Sequence, residues 1–247
     1  MVTSSTSVFG YLLPVGEDSR LVNLYSRFIE ADPSATIVPL AARRECLESA
    51  VHNVRTGLIQ GVCVDQSLYS EIASLVDART NESTVSGVID TVFADPKTGV
   101  LVGDCVAVKA VSEMTGFIEA VMDPVILMYR DCWETRVAMT ALSGWATMME
   151  IAAEPSERLD NIPTGCVVEY CDDNQIDTTP FDLVVNPPDG FKPADGQATL
   201  AISGTLSKQV VQFEALRLAY SIGKFRGLAE QICLETANNY EKILTAV

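Results

Sequence analysis

The sequence holds a single histidine, His52, and it lies in a stretch with helical spacing, Arg43–Arg55. Imidazole is the side chain that most readily carries protons near neutral pH, so its scarcity narrows the available chemistry. A Ser-His-Asp hydrolase would have to be built on His52, which has no nucleophile motif beside it. A metal centre with several histidine ligands is excluded. The seven cysteines are Cys46, Cys63, Cys105, Cys132, Cys166, Cys171 and Cys233. They are odd in number, spread along the chain and without a CxxC pair. This speaks against both a disulfide framework and a zinc site. The pattern is that of small buried hydrophobes in a reducing compartment.

Charge excludes further classes. With 33 acidic against 17 basic residues, the formal net charge is −16. Such a field repels nucleic acid and anionic lipid and opposes long-range capture of phosphorylated ligands. Neither nucleic acid nor membrane is therefore expected as a partner. No apolar run approaches the ~20 residues of a membrane span. The N-terminal MVTSSTSVFGYLL has no basic region ahead of its apolar stretch, unlike a secretory signal. A soluble cytoplasmic protein is the expectation.

The elements that would position any site alternate along the chain. Ser7–Leu13 and Ala35–Leu40 read as strands, with a helical spacing over Arg20–Glu30 between them. Helix Arg43–Arg55, strand Ile59–Val64 and a short helix over Ser67–Val76 follow. Val85–Phe93 and Val100–Val102 read as strands joined by an Asp-Pro-Lys-Thr-Gly turn. A helix is expected from Val106 to about Met122. A second series then begins with strand Pro124–Tyr129 and helix Trp133–Leu142. Strands Trp145–Ala152, Cys166–Tyr170, Leu183–Asn186 and Thr199–Ser203 follow. Ser207–Thr245 is helical, with a break at Phe225-Arg226-Gly227. With a length of 247 residues and 48% hydrophobic composition, this alternation predicts an α/β protein with largely parallel sheets.

Several strings, in this order, resemble shikimate dehydrogenases. They are Phe9-Gly10-Tyr11, Leu21-Val22-Asn23, Gly61-Val62-Cys63-Val64, Gly87-Val88-Ile89-Asp90-Thr91-Val92 and Leu101-Val102-Gly103, then Asp182–Asn186, Pro188–Phe191 and Gln212-Phe213-Glu214. The resemblance implies a two-lobed α/β architecture. A substrate lobe would span residues 1–105 and a degenerate Rossmann-like lobe 106–220. C-terminal helices, 221–247, would pack back on the first lobe.

The residues on which that family's chemistry depends are replaced. Hydride transfer to a shikimate-type substrate needs an acid–base pair, supplied in the family by a lysine and an aspartate. The matching positions hold Tyr69 and Ala107. The family's Ser-x-Ser loop becomes Val15-Gly16-Glu17-Asp18-Ser19. Its substrate-holding asparagines become Asp90 and Cys105, and its late glutamine becomes Lys208. The phosphate turn reads Tyr129-Arg130-Asp131-Cys132-Trp133, with no glycine to admit a diphosphate against the backbone. Where the family often places Asn-Arg-Thr for a 2′-phosphate, the chain has Ala153-Glu154-Pro155.

The resemblance thus implies a repurposed protein that uses no nicotinamide cofactor and holds a small organic molecule in the inter-lobe cleft. An isomerase, cyclase or lyase of a specialised biosynthetic pathway fits it. Tyr69, Asp90 and Lys208 would be catalytic, and Tyr11, Asp65 and Cys105 would bind ligand. The other class is a non-catalytic sensor or regulatory partner, akin to regulators of quinate use. A homodimer or a protein partner stays open.

Overall fold

A computed structural model describes residues 7–13, 27, 35–116, 121, 123–130, 132–146, 148–153, 167–171, 176–203 and 207–245. The chain is a mixed α/β protein that divides into two compact units. The first comprises Met1–Thr84, Val88–Val106 and Glu214–Val247; the second comprises Val85–Gly87 and Ala107–Phe213.

The first unit is built on six strands: β1 (Ser7–Leu13), β2 (Ala35–Ala41), β3 (Gly61–Cys63), β4 (Ala78–Arg79), β5 (Thr91–Ala94) and β6 (Leu101–Asp104). Their order in the sheet is β2-β1-β3-β5-β6-β4. β1 pairs in parallel with β2 and β3, while β5 runs antiparallel to both β3 and β6. The sheet is therefore mixed, where the alternation had suggested mostly parallel pairing. Helices α1 (Arg44–Arg55), α2 (Tyr69–Ile72) and α3 (Asn81–Ser86) connect the strands. Leu47, Ala50, Val51 and Val54 form the buried face of α1, a spacing of three and four residues.

The second unit carries a wholly parallel sheet. β7 (Val125–Tyr129), β8 (Met148–Ala152), β9 (Val167–Cys171), β10 (Leu183–Val185) and β11 (Ala198–Leu200) lie in the order β11-β10-β7-β8-β9. Read from the other edge, this is the 3-2-1-4-5 order of a Rossmann-like sheet, with its switch point between β7 and β10. Leu127, Ala152, Phe181 and Val184 centre the core on it. β7 and β10 read as continuous apolar runs because both sheet faces are covered. Helices α4 (Val106–Met114) and α6 (Lys208–Arg226) cross the division between the units, and α5 (Trp133–Leu142) follows β7. Helix α7 (Glu230–Thr245) closes the described chain.

Some sequence expectations need correction. Val85–Phe93 is not one strand. Val85 and Ser86 end α3, Gly87 turns the chain at φ 71°, and pairing resumes only at Thr91. Ser67–Val76 splits into a 3-10 turn, Gln66–Leu68, and the single turn of α2. The helix from Val106 stops at Met114, and the expected strand from Trp145 begins at Met148. The break at Phe225-Arg226-Gly227 is present. Gly227 adopts φ 64°, a left-handed position suited to a residue without a β-carbon, just past the end of α6. Among the described residues, no helix is long and apolar enough to cross a membrane.

Helix α6 is seated on the first sheet through a missing side chain. A β-carbon on Gly61 would overlap the Phe225 ring. That ring lies 5.0 Å from the ring of Phe9, the β1 partner of Gly61. Gly61→Ala is expected to destabilise the protein by about 1–3 kcal/mol through overpacking. Urea unfolding checks this, and a Gly61→Ala/Phe225→Leu double variant should recover part of the loss.

Candidate functional site

One rung of the first sheet is polar. Antiparallel and parallel pairing put Tyr11 beside Cys63, Cys63 beside Thr91, and Thr91 beside Asp104. Residues in register across a sheet present side chains to the same face. That face meets α6, where Arg217, Ser221 and Lys224 recur at helical spacing. Arg217 Nη2 donates to Tyr11 Oη at 2.5 Å, Ser221 Oγ bonds Thr91 Oγ1 at 2.8 Å, and Lys224 Nζ lies 2.9 Å from Asp104 Oδ2. The seam is dry at its Arg217 end and half-exposed at Lys224.

Among the described residues of the unit, Arg217 is the buried cation. Its Nε and Nη2 both donate to Glu214 Oε2, at 3.1 and 2.8 Å. Both residues are buried, so the pair is paired because it must be. An isolated buried charge costs several kcal/mol, and removing one partner of such a pair costs about 3–5 kcal/mol.

Around this pair lie four of the residues expected from the sequence. Tyr11 makes the bond just described. Tyr69 is buried in the one-turn helix α2. Burial pushes its phenol well above the ordinary value; the positive Arg217 acts the other way, and Asp90, Cys105 and Tyr11 add to the rise. Asp90 is buried between Ile89 and β5, and its Oδ1 accepts the Val106 N–H at 3.0 Å, at the first turn of α4. Cys105 is buried directly before that helix. These groups all act on Tyr69 electrostatically and belong to one cluster in the first unit.

Two expected residues sit differently. Asp65 is half-buried, and its Oδ1 accepts from the Ser67 backbone N–H at 3.0 Å and hydroxyl at 2.6 Å, so it caps the turn leading to Tyr69. Lys208 is exposed at the start of α6, in the second unit. The buried Ala107 stands in α4, where it offers no proton-carrying group. Asn23, the segment from Val15 to Ser19, Asp131, Glu154 and Pro155 lie outside the described residues.

Sequence reasoning missed Arg217, Glu214, Ser221 and Cys63. The signal was available. An arginine in the run Ala215-Leu216-Arg217-Leu218-Ala219 interrupts an apolar face that no solvated arginine would choose. Cys63 shows the local dielectric most plainly. Burial pushes its thiol up to about 12, with Arg217 and a hydrogen bond from Ser221 pulling the other way.

At the carboxyl ends of β7 and β10, two non-glycine residues adopt left-handed conformations, Arg130 at φ 67° and Asn186 at φ 48°. The Arg130 N–H donates to Ala152 O at 2.9 Å, and its carbonyl accepts from Thr135 Oγ1 at 2.5 Å. The Tyr129 ring meets Phe191 edge-on at 6.4 Å. In the first turn of α5, Glu134 is buried. Burial and then the Glu134 charge raise the Cys132 thiol to about 11.

No protein-family model matches the sequence, and neither does any curated protein sequence. Solved structures do share the fold. Quinate dehydrogenase from Corynebacterium glutamicum, in complex with NAD, is 10% identical with a TM-score of 0.74, over 98% of this chain and 99% of that one. A shikimate dehydrogenase in complex with NADP+ is 13% identical with a TM-score of 0.68, over 97% of each chain. The 5-ketofructose reductase of a Gluconobacter species, ligand-free, is 11% identical with a TM-score of 0.68, over 95% of this chain and 98% of that one. The chain thus has a shikimate-dehydrogenase-like fold whose second unit is Rossmann-like.

The buried acids of the cluster set a pH dependence. A folded-state thiol or phenol raised above its unfolded value contributes stability below the unfolded value and loses it as pH rises toward the folded one. For Cys63 the window runs from 9.0 to about 12. Stability measured by urea unfolding is expected to fall through that range, and Cys63→Ala should flatten the fall.

Proposed function

We propose that this protein holds a small organic molecule beside the Tyr11–Arg217–Tyr69–Asp90 cluster of its first unit and transforms it without a nicotinamide. An isomerase, cyclase or lyase of a biosynthetic pathway is the class of activity. The observation that carries the reading is the cluster itself. Strongly shifted ionisable groups around a buried ion pair, at the end of a sheet, are how active sites are commonly built. A protein needing only stability would gain as much or more from apolar residues of similar volume.

The residues at the switch point do not fit the dinucleotide carried by the NAD and NADP+ complexes with this fold. A diphosphate seat needs free backbone N–H groups and space for close approach, which glycines provide. Here the described positions Tyr129, Arg130, Cys132 and Trp133 all carry side chains. The Arg130 N–H is spent on Ala152, and its carbonyl is closed off by Thr135. A phosphate on the first turn of α5 would meet the Glu134 carboxylate, whose field already raises the Cys132 thiol. Tyr69 in the first unit and Ala107 at the start of the second stand where the dehydrogenases that the sequence resembles have a proton-carrying lysine and aspartate, which supports a reading without hydride transfer.

Mass spectrometry of small molecules released on denaturation tests the binding. An organic molecule should be released from the wild-type protein, and in much smaller amount from Arg217→Met. Equal release from both would sink the placement of the ligand at this cluster.

A further inference from the structure

The second sheet leaves one corner of one face open. Burial alternates along β8: Met149 and Ile151 are buried on one face, while Met148 and Glu150, on the other, are partly exposed. The open face is the one that carries Leu127 and Val184, and Phe181 packs on it there. Toward the β9 edge that cover is missing. Met148 is 38% exposed, and Val167, its neighbour in register on β9, is 57% exposed. Glu150 and Glu169 form the next rung of the same face, Glu150 half-buried and Glu169 exposed. Trp145, shortly before β8, is exposed as well.

Two features of this corner suit a covering element better than water. A wholly parallel sheet is ordinarily covered on both faces. Neighbouring strands also lie about 4.8 Å apart, so Glu150 and Glu169 set two like charges side by side, which costs stability. Neither carboxylate has a hydrogen-bond or ion-pair partner among the described residues. An apolar rung followed by a doubly acidic rung fits one kind of occupant. Successive rungs of one face lie about 6.6 Å apart along the strand, and one turn of an α-helix advances about 5.4 Å. A helix laid along β8 and β9 would set an apolar residue over Met148 and Val167, and a lysine or arginine one turn on over Glu150 and Glu169. A second copy of the chain is disfavoured, because it brings a net charge of −16 to the same carboxylates. Nucleic acid and anionic lipid are repelled in the same way. We propose that the Met148–Val167 and Glu150–Glu169 rungs form a docking surface for a basic amphipathic helix of a partner protein. The surface belongs to the second unit and the small-molecule cluster to the first, so either can stand without the other.

Fluorescence anisotropy with labelled peptides tests this. The probe is a Leu/Lys peptide of about 18 residues, able to form an amphipathic helix on docking. A Ser/Lys peptide of equal length and charge is its control. Wild-type protein should bind the Leu/Lys peptide about 10-fold or more tightly than the control. Glu150→Lys/Glu169→Lys should weaken that binding by about 10-fold or more, and Val167→Ser by about 3- to 10-fold. Glu45→Lys/Glu235→Lys makes the same change in net charge at exposed positions of the first unit, and should weaken it by less than about 3-fold. Thermal melts establish that each variant is folded. If the reversal at Glu150 and Glu169 is unfolded, Glu150→Gln/Glu169→Gln decides in its place. The proposal is overturned if the wild type binds neither peptide or both alike, if the two charge reversals weaken binding equally, or if Val167→Ser binds as wild type. It is also overturned if sedimentation shows a wild-type dimer that Val167→Ser dissociates, which would make a second copy the occupant.

Discussion

The polar seam between α6 and the first sheet is the constraint from which the rest follows. Tyr11, Cys63, Thr91 and Asp104 form one rung across four strands, and Arg217, Ser221 and Lys224 answer it from the helix. An apolar helix face can slide on an apolar sheet with little penalty. A face with a buried guanidinium cannot, because each shift would strand a charge or a hydroxyl in a dry interior. The seam therefore fixes the register of α6, and with it the place of Phe225 over Gly61. It also draws together residues far apart in sequence, with Arg217 and Tyr11 separated by 206 positions.

The same seam sets the electrostatics of the site. Arg217 and Glu214 almost cancel as a pair, so the groups beside them feel burial more strongly than any one charge. Burial is the largest influence on both the Cys63 thiol and the Tyr69 phenol. The result is a buried environment that disfavours the anions of Cys63 and Tyr69, unlike a lysine–aspartate pair built to pass a proton alongside a hydride. The second unit tells a parallel story. Its strand order is that of a dinucleotide-binding sheet, yet Arg130, just after β7, gives its N–H to Ala152 O at the end of β8 and accepts Thr135 Oγ1 from α5 on its carbonyl. A shared fold does not carry its chemistry with it, because function lives in the site.

Much of the architecture was legible in the sequence. Apolar runs such as Val125–Met128 and Leu183–Val185 mark buried parallel strands, and the break at Gly227 marks the end of a helix. The mixed pairing of β3, β5 and β6 was not legible, because a short buried strand carries the same composition in either direction. Val88 and Ile89 misled for a related reason: they are buried but lie outside any strand, between the turn at Gly87 and the start of β5. Of the candidate cluster, Tyr11, Tyr69, Asp90 and Cys105 were named from their places in or beside strings that resemble the family. Arg217 stood out only as a charge within an apolar helix run, and its partner Tyr11 lies 206 positions away in the sequence. Lys208 illustrates the converse, a charged residue singled out by local matching that stands exposed at a helix start in the second unit.

The central claim is that this fold has kept its sheets and given up its nicotinamide. Titration of the purified protein with NADPH and NADH, followed by nucleotide fluorescence, addresses it most directly. The account predicts no saturable change with either nucleotide at concentrations that saturate a shikimate dehydrogenase run alongside. Clear saturable binding of either one would contradict it.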